Sequence, residues 1–225
     1  MAFKVVATPF GGRIETEFPY EHEALRPLGI SIASAQADSE AAYVAQVKDA
    51  DAIMVGARML SADIINQLEQ CKVIANGGVG VDRVDLDAAT AKGIVVTNVP
   101  DVFIDEVANH AMMLLLALTK KTLPLDRAVR EGRWQDSRRY MVPMPKLTGE
   151  VLGLVAFGNI PRKVAARARA FDMQVIAWDP FVADDVFDTY GVERVTDLTD
   201  LFRRADFVSA HLPLNKDTRG LLNYA

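Results

Sequence analysis

Three groups of residues in this 225-residue chain have types and spacings that can do chemistry. In residues 151–180, VLGLVAFGNIPRKVAARARAFDMQVIAWDP, an apolar run reaches a turn at Gly158, a helical stretch follows, and a second apolar run ends at Asp179. A glycine at such a turn lets the backbone approach a pyrophosphate lying on the N-terminus of the next helix, where N–H groups and the helix dipole favour negative charge. Asp179 stands 21 residues after Gly158. An acid at about that distance accepts hydrogen bonds from adenosine ribose hydroxyls and disfavours a phosphorylated ribose, so the segment outlines an NAD site. The second group is the glycine-rich run Gly77-Gly78-Val79-Gly80, which alone reads as a tight turn after a strand. The third is the set of isolated polar side chains His22, His110, His211, Cys71 and the acids Asp82, Asp85 and Asp87.

The fingerprint at the first group is degraded. Ala156 and Pro161 fill two of the three glycine positions of G-x-G-x-x-G. Ala156 is expected to be a mild change, since one methyl can be accommodated if φ is negative there. Pro161 lacks an N–H, restricts Ile160 and adds a ring where helix and strand should approach, so it is expected to shift the helix start and weaken pyrophosphate binding.

The elements that position these groups follow from hydrophobic periodicity. Short apolar, mostly β-branched runs at 4–8, 30–34, 52–56, 72–77 and 94–99 alternate with helix-like stretches at 39–49, 61–71 and 85–92. Ser39 and Ser61 stand where helix caps belong, and Gly93 closes the third helix. This alternation predicts a parallel, doubly wound α/β sheet. Residues 101–121 are apolar nearly all round, so as a helix they should be enclosed on most sides, between domains or against a second subunit. A further helix is expected at 125–131, and 133–150 reads as a crossing loop. The βα rhythm then restarts, with strands near 151–157, 174–178 and 206–210 and helices near 161–171 and 197–204. The expected architecture is therefore two doubly wound parallel-sheet domains, residues 1–99 and 122–225, joined by a helix at 100–121.

Composition excludes several classes of function. With 25 basic and 30 acidic residues, a net charge of −5 and no basic block, nothing points to a nucleic-acid surface. A single cysteine rules out an internal disulfide framework. No apolar run approaches the roughly 20 residues that would span a bilayer, and the N-terminus lacks the organisation of a secretory signal. A cytoplasmic protein with small-molecule partners is expected. His22 reads as a surface residue, His110 as a packed or interface residue, Cys71 as a buried structural thiol, and the acids at 82–87 as a solvated helix start rather than a metal cluster.

The glycine turn, Asp179 and the segments around them together resemble the D-isomer-specific 2-hydroxyacid dehydrogenases. GGVGVDRVDLDAATAKGIVVTNVPD (77–101) is similar to the family's substrate-domain signature, and DEVANHAMMLLLAL (105–118) to its interdomain helix. REGRW (130–134), the DP at 179–180 and HLPLNKDTRGLLN (211–223) match in kind and order. Loop 133–150 and YGVERV (190–195) lean toward the C-terminal-binding-protein branch. The resemblance implies a flavodoxin-like substrate domain and a Rossmann NAD-binding domain, incomplete at its C-terminus. It implies hydride transfer between NAD and a small 2-oxo or 2-hydroxy acid, and a homodimer. Val79 and Gly80 would present backbone amides to the substrate carboxylate, with Gly78 and Gly80 freeing the backbone to turn them, and Val79 would also lie near the nicotinamide. Gly158, Asn159 and Ile160 would meet the pyrophosphate and Asp179 the ribose. His211, Leu212 and Pro213 would line the cofactor. Thr218 would open a following helix and either cap it or touch the cofactor.

No catalytic residue is assigned within the chain. The family's carbonyl-polarising arginine and its acid–histidine pair match no position here and are expected beyond residue 225, which implies either a fragment or a product without turnover. A dinucleotide-sensing interaction protein is the alternative reading, and a methyltransferase fold is opposed by the 77–118 segments.

Overall fold

The computed structural model describes residues 3–9, 14–56 and 58–223. The chain divides into two units, Met1–Val102 and Phe103–Ala225, and the long apolar helix goes with the second. In the first unit the order is β1 (Val5–Ala7), α1 (Ile14–Glu17), α2 (Pro19–Leu25), β2 (Ile32–Ser34), α3 (Glu40–Val47), β3 (Ala52–Val55), α4 (Ala62–Asn66), β4 (Val73–Asn76), α5 (Leu86–Ala91) and β5 (Val95–Thr97). The strands pair in parallel in the order β2-β1-β3-β4-β5. This is the flavodoxin-like order, whose switch point lies between β1 and β3.

Local chemistry sets the helix starts. Ser39 Oγ accepts from the Ala42 N–H, Ser61 Oγ from Ile64 and Asp85 Oδ1 from Ala88, each satisfying an N–H that the first helical turn leaves over. Asp85 is thus a cap, and among the described residues no group of three or more His, Cys, Asp or Glu is placed to hold a metal ion. Both faces of the sheet are covered. Tyr43, Val47, Ile53, Ile64, Ile65 and Ile74 fill one side. Val5, Ala7, Phe18, Ile32 and Met54 fill the other. That double burial explains why β1 and β3 are apolar at every position rather than alternating.

The second unit runs α6 (Ile104–Thr119), α7 (Thr122–Arg130), β6 (Val151–Val155), α8 (Asn159–Arg169), β7 (Gln174–Trp178), α9 (Asp184–Tyr190), β8 (Glu193–Arg194), α10 (Leu198–Arg204) and β9 (Phe207–Ala210). Its parallel order is β8-β7-β6-β9. Counted from β6 this is 3-2-1-4, the first half of the dinucleotide-binding order. Gly153 in β6 is required by packing, since an added Cβ would stand 2.7 Å from Leu201 Cδ2 and 2.9 Å from the Ala205 Cβ.

Several expectations are corrected. The helix expected at 61–71 is only Ala62–Asn66, because Gln67 and Leu68 bond back three residues and turn Leu68 into the core. Helices α2 and α9 and the two-residue strand β8 occupy stretches that periodicity left blank, and Trp134–Tyr140 forms a 3₁₀ helix inside the expected loop. Helix α6 packs one face within its unit and leaves the other exposed, so enclosure by a second subunit stays an expectation. Ala108 and Met112 face α8, Asp105 ties α6 to Arg167 at 2.6 Å and Lys163 at 3.6 Å, and Met113, Leu114 and Leu118 are at least half exposed. The Arg167 guanidinium holds the Asp105 carboxyl below its usual range. Among the described residues no helix is long and apolar enough to cross a membrane.

Candidate functional site

The site in the second unit is built where β6 ends. Ala156 has φ +78°, in the left-handed region, with its N–H on the Trp178 carbonyl at 2.8 Å. The condition under which the methyl would be mild, a negative φ, is not met, because the backbone bends at this residue as the fingerprint glycine would have let it. An L side chain in that region costs roughly 1 kcal/mol. Ala156→Gly is therefore expected to stabilise the fold by about 1 kcal/mol in denaturant unfolding, and no gain would show that the turn relaxes around the methyl.

Gly158 is the cap residue of α8 with φ −76° and ψ −160°, a conformation open to any residue, and a Cβ added there meets nothing within 4 Å. Neither backbone geometry nor protein packing asks for glycine at this position. The open space at the start of α8 fits the close approach of an anion such as a pyrophosphate. Asn159 and Ile160 are the first two residues of α8. Pro161 is third and buried, and it has not displaced the helix start as expected. In the first turn its missing N–H would have had no partner within the helix anyway.

Asp179, just after β7, is partly buried and already engaged. Oδ2 accepts from the Phe157 N–H at 2.9 Å, and Oδ1 accepts from Phe181 at 2.8 Å and Val182 at 3.2 Å. A carboxylate offers about four lone-pair sites, so capacity for a hydroxyl remains. The pairings Val155↔Trp178 and Val155↔Ala210 place the ends of β7, β6 and β9 side by side. Gly158, Asp179 and His211–Pro213 thereby emerge on one edge of the sheet, next to the β6/β9 switch point where open α/β sheets bind ligands. Leu212 packs against the Val155 and Ile176 cluster, and Pro213 is exposed.

His211 Nε2 lies 2.9 Å from Ser209 Oγ, and burial pushes the imidazole below its ordinary 6.5. The folded chain therefore favours the neutral ring, while the unfolded chain takes up a proton as pH falls through about 6.5. Stability from this burial is full above that value and is lost as pH drops through the depressed folded pKa. Thermal unfolding followed from about pH 7.5 to 5 is expected to show a falling Tm, with a shallower fall for His211→Gln. Parallel curves would show that another group titrates.

Thr218 does not open a helix. Residues 216–220 form turns and 221–223 bends, because Asn215 takes the capping role: its Oδ1 accepts from Asp217 at 2.9 Å and Thr218 at 3.0 Å. Thr218 Oγ1 instead donates to the Pro213 carbonyl at 2.5 Å and accepts from Asn215 N at 2.9 Å, fixing the segment after β9.

The first unit carries its own cradle at the carboxyl ends of its strands. A cavity of about 620 Å³ is lined by residues that include Gly56, Asn76, Gly80, Arg83 and Asn98. The loop's carbonyls are taken inside the protein. Asn76 Nδ2 donates to Gly80 O at 2.6 Å, Asn98 Nδ2 to Val79 O at 2.8 Å, and Val99 N to Gly78 O at 3.0 Å. Among the described residues no acceptor pairs with the Val79 or Gly80 N–H. These two amides suit an anion. Neither Gly78 nor Gly80 has positive φ. Asn76 and Asn98 hold the loop's carbonyls, and Gly80 leaves room for the Asp82 carboxylate, whose Oδ1 would lie 2.7 Å from an added Cβ.

Residues 112–225 match the family model described as D-isomer specific 2-hydroxyacid dehydrogenase, NAD binding domain. The chain belongs to this family. It is similar to the D-3-phosphoglycerate dehydrogenase of Methanocaldococcus jannaschii, with 38% identity over 178 residues, covering 79% of this chain and 33% of the relative. It is 32% identical over 206 residues to the Rattus norvegicus D-3-phosphoglycerate dehydrogenase, covering 91% of this chain and 38% of that protein. The chain thus spans about a third of the length of the curated relatives it matches. Among solved structures, a D-lactate dehydrogenase from Aquifex aeolicus complexed with NAD and lactic acid superposes with a TM-score of 0.80 at 26% identity, covering 96% of this chain and 62% of that one.

For a member of this dehydrogenase family, three positioning side chains escape sequence reasoning. Asn76 had a signal, an Asn two residues before a glycine, where its Oδ1 accepts the Gly78 N–H at 3.2 Å. Asn98 and Arg162 had none, because each acts on a carbonyl that only the folded chain brings near.

Proposed function

We propose that this chain supplies the cofactor site and the substrate-carboxylate cradle of an NAD-dependent D-2-hydroxyacid dehydrogenase. The open position at Gly158, at the start of α8 and beside the β6/β9 switch point, carries this reading. Asn159 and Ile160 would donate amides to the pyrophosphate, and Asp179 would hold the adenosine ribose with its remaining lone pairs. Its negative charge opposes a ribose phosphate, which selects NAD. His211, Leu212 and Pro213 would wall the cofactor. In the first unit, Val79 and Gly80 would bind the carboxylate of a small 2-oxo or 2-hydroxy acid through two N–H groups whose direction Asn76 and Asn98 fix. When bound, the nicotinamide supplies the hydride donor or acceptor for substrate C2.

Among the described residues no histidine forms a hydrogen bond or ion pair with a carboxylate. In this reading the arginine that polarises the carbonyl and the acid–histidine pair that moves the proton lie later than residue 225. The exposed apolar face of α6 supports a homodimer, since patches of this kind mark association surfaces. The composition supports a cytoplasmic enzyme that binds neither nucleic acid nor membrane. Calorimetric titration tests the cofactor assignment: NAD should bind, and NADP should bind at least about tenfold more weakly because of Asp179. Equal affinities, or no heat with NAD, would remove the reading.

A further inference from the structure

We propose that Arg162 is a positioning residue for the cofactor turn, clamping the Phe157 peptide from the side opposite Asp179. The inference rests on the dehydrogenase reading. Arg162 Nε donates to the Phe157 carbonyl at 2.9 Å, while Asp179 Oδ2 accepts the Phe157 N–H at 2.9 Å. One residue of the turn therefore has both backbone polar groups held by charged side chains, and such hydrogen bonds are stronger than neutral ones. This matters because Ala156, immediately before, is held at φ +78°, and Gly158, immediately after, has no side chain to anchor it. Without the clamp, the turn between them has little to fix the direction of the α8 amides.

The guanidinium is itself fixed by aromatic rings. Its carbon lies 5.8 Å from the Phe157 ring centroid and 5.7 Å from that of Tyr190. The Phe157 ring stacks on Phe187 at 4.7 Å with planes 15° apart, and meets Tyr190 edge-on at 5.9 Å. Phe187 and Tyr190 both belong to α9, so this helix, which no motif of the dinucleotide fingerprint includes, becomes the rear support of the cofactor turn. A planar fork suits a site that must stack and donate together, which lysine cannot reproduce.

The test compares the wild type, Arg162→Met and Arg162→Lys by NAD calorimetry and by amide hydrogen exchange of residues 156–160 without NAD. Arg162→Met should weaken NAD roughly tenfold, as expected for one hydrogen bond to a charged group, and should speed exchange in the turn. Arg162→Lys should behave like the methionine variant. Full recovery of affinity with lysine would overturn the clamp in favour of a simple charge effect. Unchanged affinity with methionine would also overturn it, whether or not exchange rises. If wild type binds no NAD while Arg162→Met still loosens the turn, the dehydrogenase reading falls and the clamp on the peptide stands.

Discussion

Replacing Gly158 by valine is expected to weaken NAD binding roughly 5- to 140-fold while the chain still folds, with about 1 kcal/mol of stability lost because valine is a poor helix cap. The range is the affinity equivalent of about 1–3 kcal/mol, the usual cost of forcing extra methyl groups into an occupied space. In the free chain that space is open, with nothing within 4 Å of an added Cβ, and φ −76° suits any residue. Serine makes the dissociation sharper. As the cap of α8 it could accept the Ile160 N–H, and serine exceeds glycine at caps by a few tenths of a kcal/mol, so Gly158→Ser should raise stability slightly. The same hydroxyl would stand where the pyrophosphate approaches, so affinity should fall. Calorimetry with NAD and thermal unfolding of each variant measure the two effects separately. A serine variant that loses stability in step with affinity would show that the glycine serves the fold and not the ligand.

This dissociation also explains which parts of the molecule can be read before folding. The α/β rhythm is legible because it repeats, and Ser39 and Ser61 mark starts that the structure confirms through their own hydrogen bonds. Gly158 and Asp179 are legible because their spacing is that of the dinucleotide fingerprint, whereas the conformation of Ala156 is hidden: one methyl in a turn leaves no periodic trace. Asn98 reaches Val79 across 19 residues of sequence and Arg162 closes on Phe157 only once α8 has formed, so neither contact has a local signature. Strand β8 spans two residues and cannot show alternation at all. The segment after β9 misleads for a different reason. Asn215 and Thr218 both have side chains that cap, and only the folded backbone decides that Asn215 takes the N–H groups and Thr218 the Pro213 carbonyl.

Gly56→Ala should have the largest effect on stability. Gly56 follows β3 and Thr8 follows β1, two strands paired in register through Val5↔Ala52, Val6↔Ile53 and Ala7↔Met54. A Cβ at residue 56 would land on the Thr8 carbonyl, a backbone group that no rotamer change can move aside. Relief requires the ends of the two strands to separate. That would strip Val6, Ala7 and Ile53, each almost wholly buried, of part of their packing, and would disturb the buried bond from Thr8 Oγ1 to the Tyr43 hydroxyl at 3.0 Å. Overpacking a side chain against side chains costs about 1–3 kcal/mol, and a backbone obstacle places this change at about 3 kcal/mol or more. For a chain of this size that corresponds to a Tm lowered by roughly 6–12 °C. Circular dichroism melts of wild type and Gly56→Ala give the value directly, and a loss below about 1 kcal/mol would mean the strand ends part easily. Because Gly56 also lines the 620 Å³ cavity and its carbonyl accepts from Arg83 Nη1 at 3.1 Å, the same variant should bind a 2-oxo acid more weakly even where it remains folded. The glycine at the switch point of the first sheet thus serves the chain itself, whereas the glycine at the start of α8 has open space around it and is free to serve a ligand.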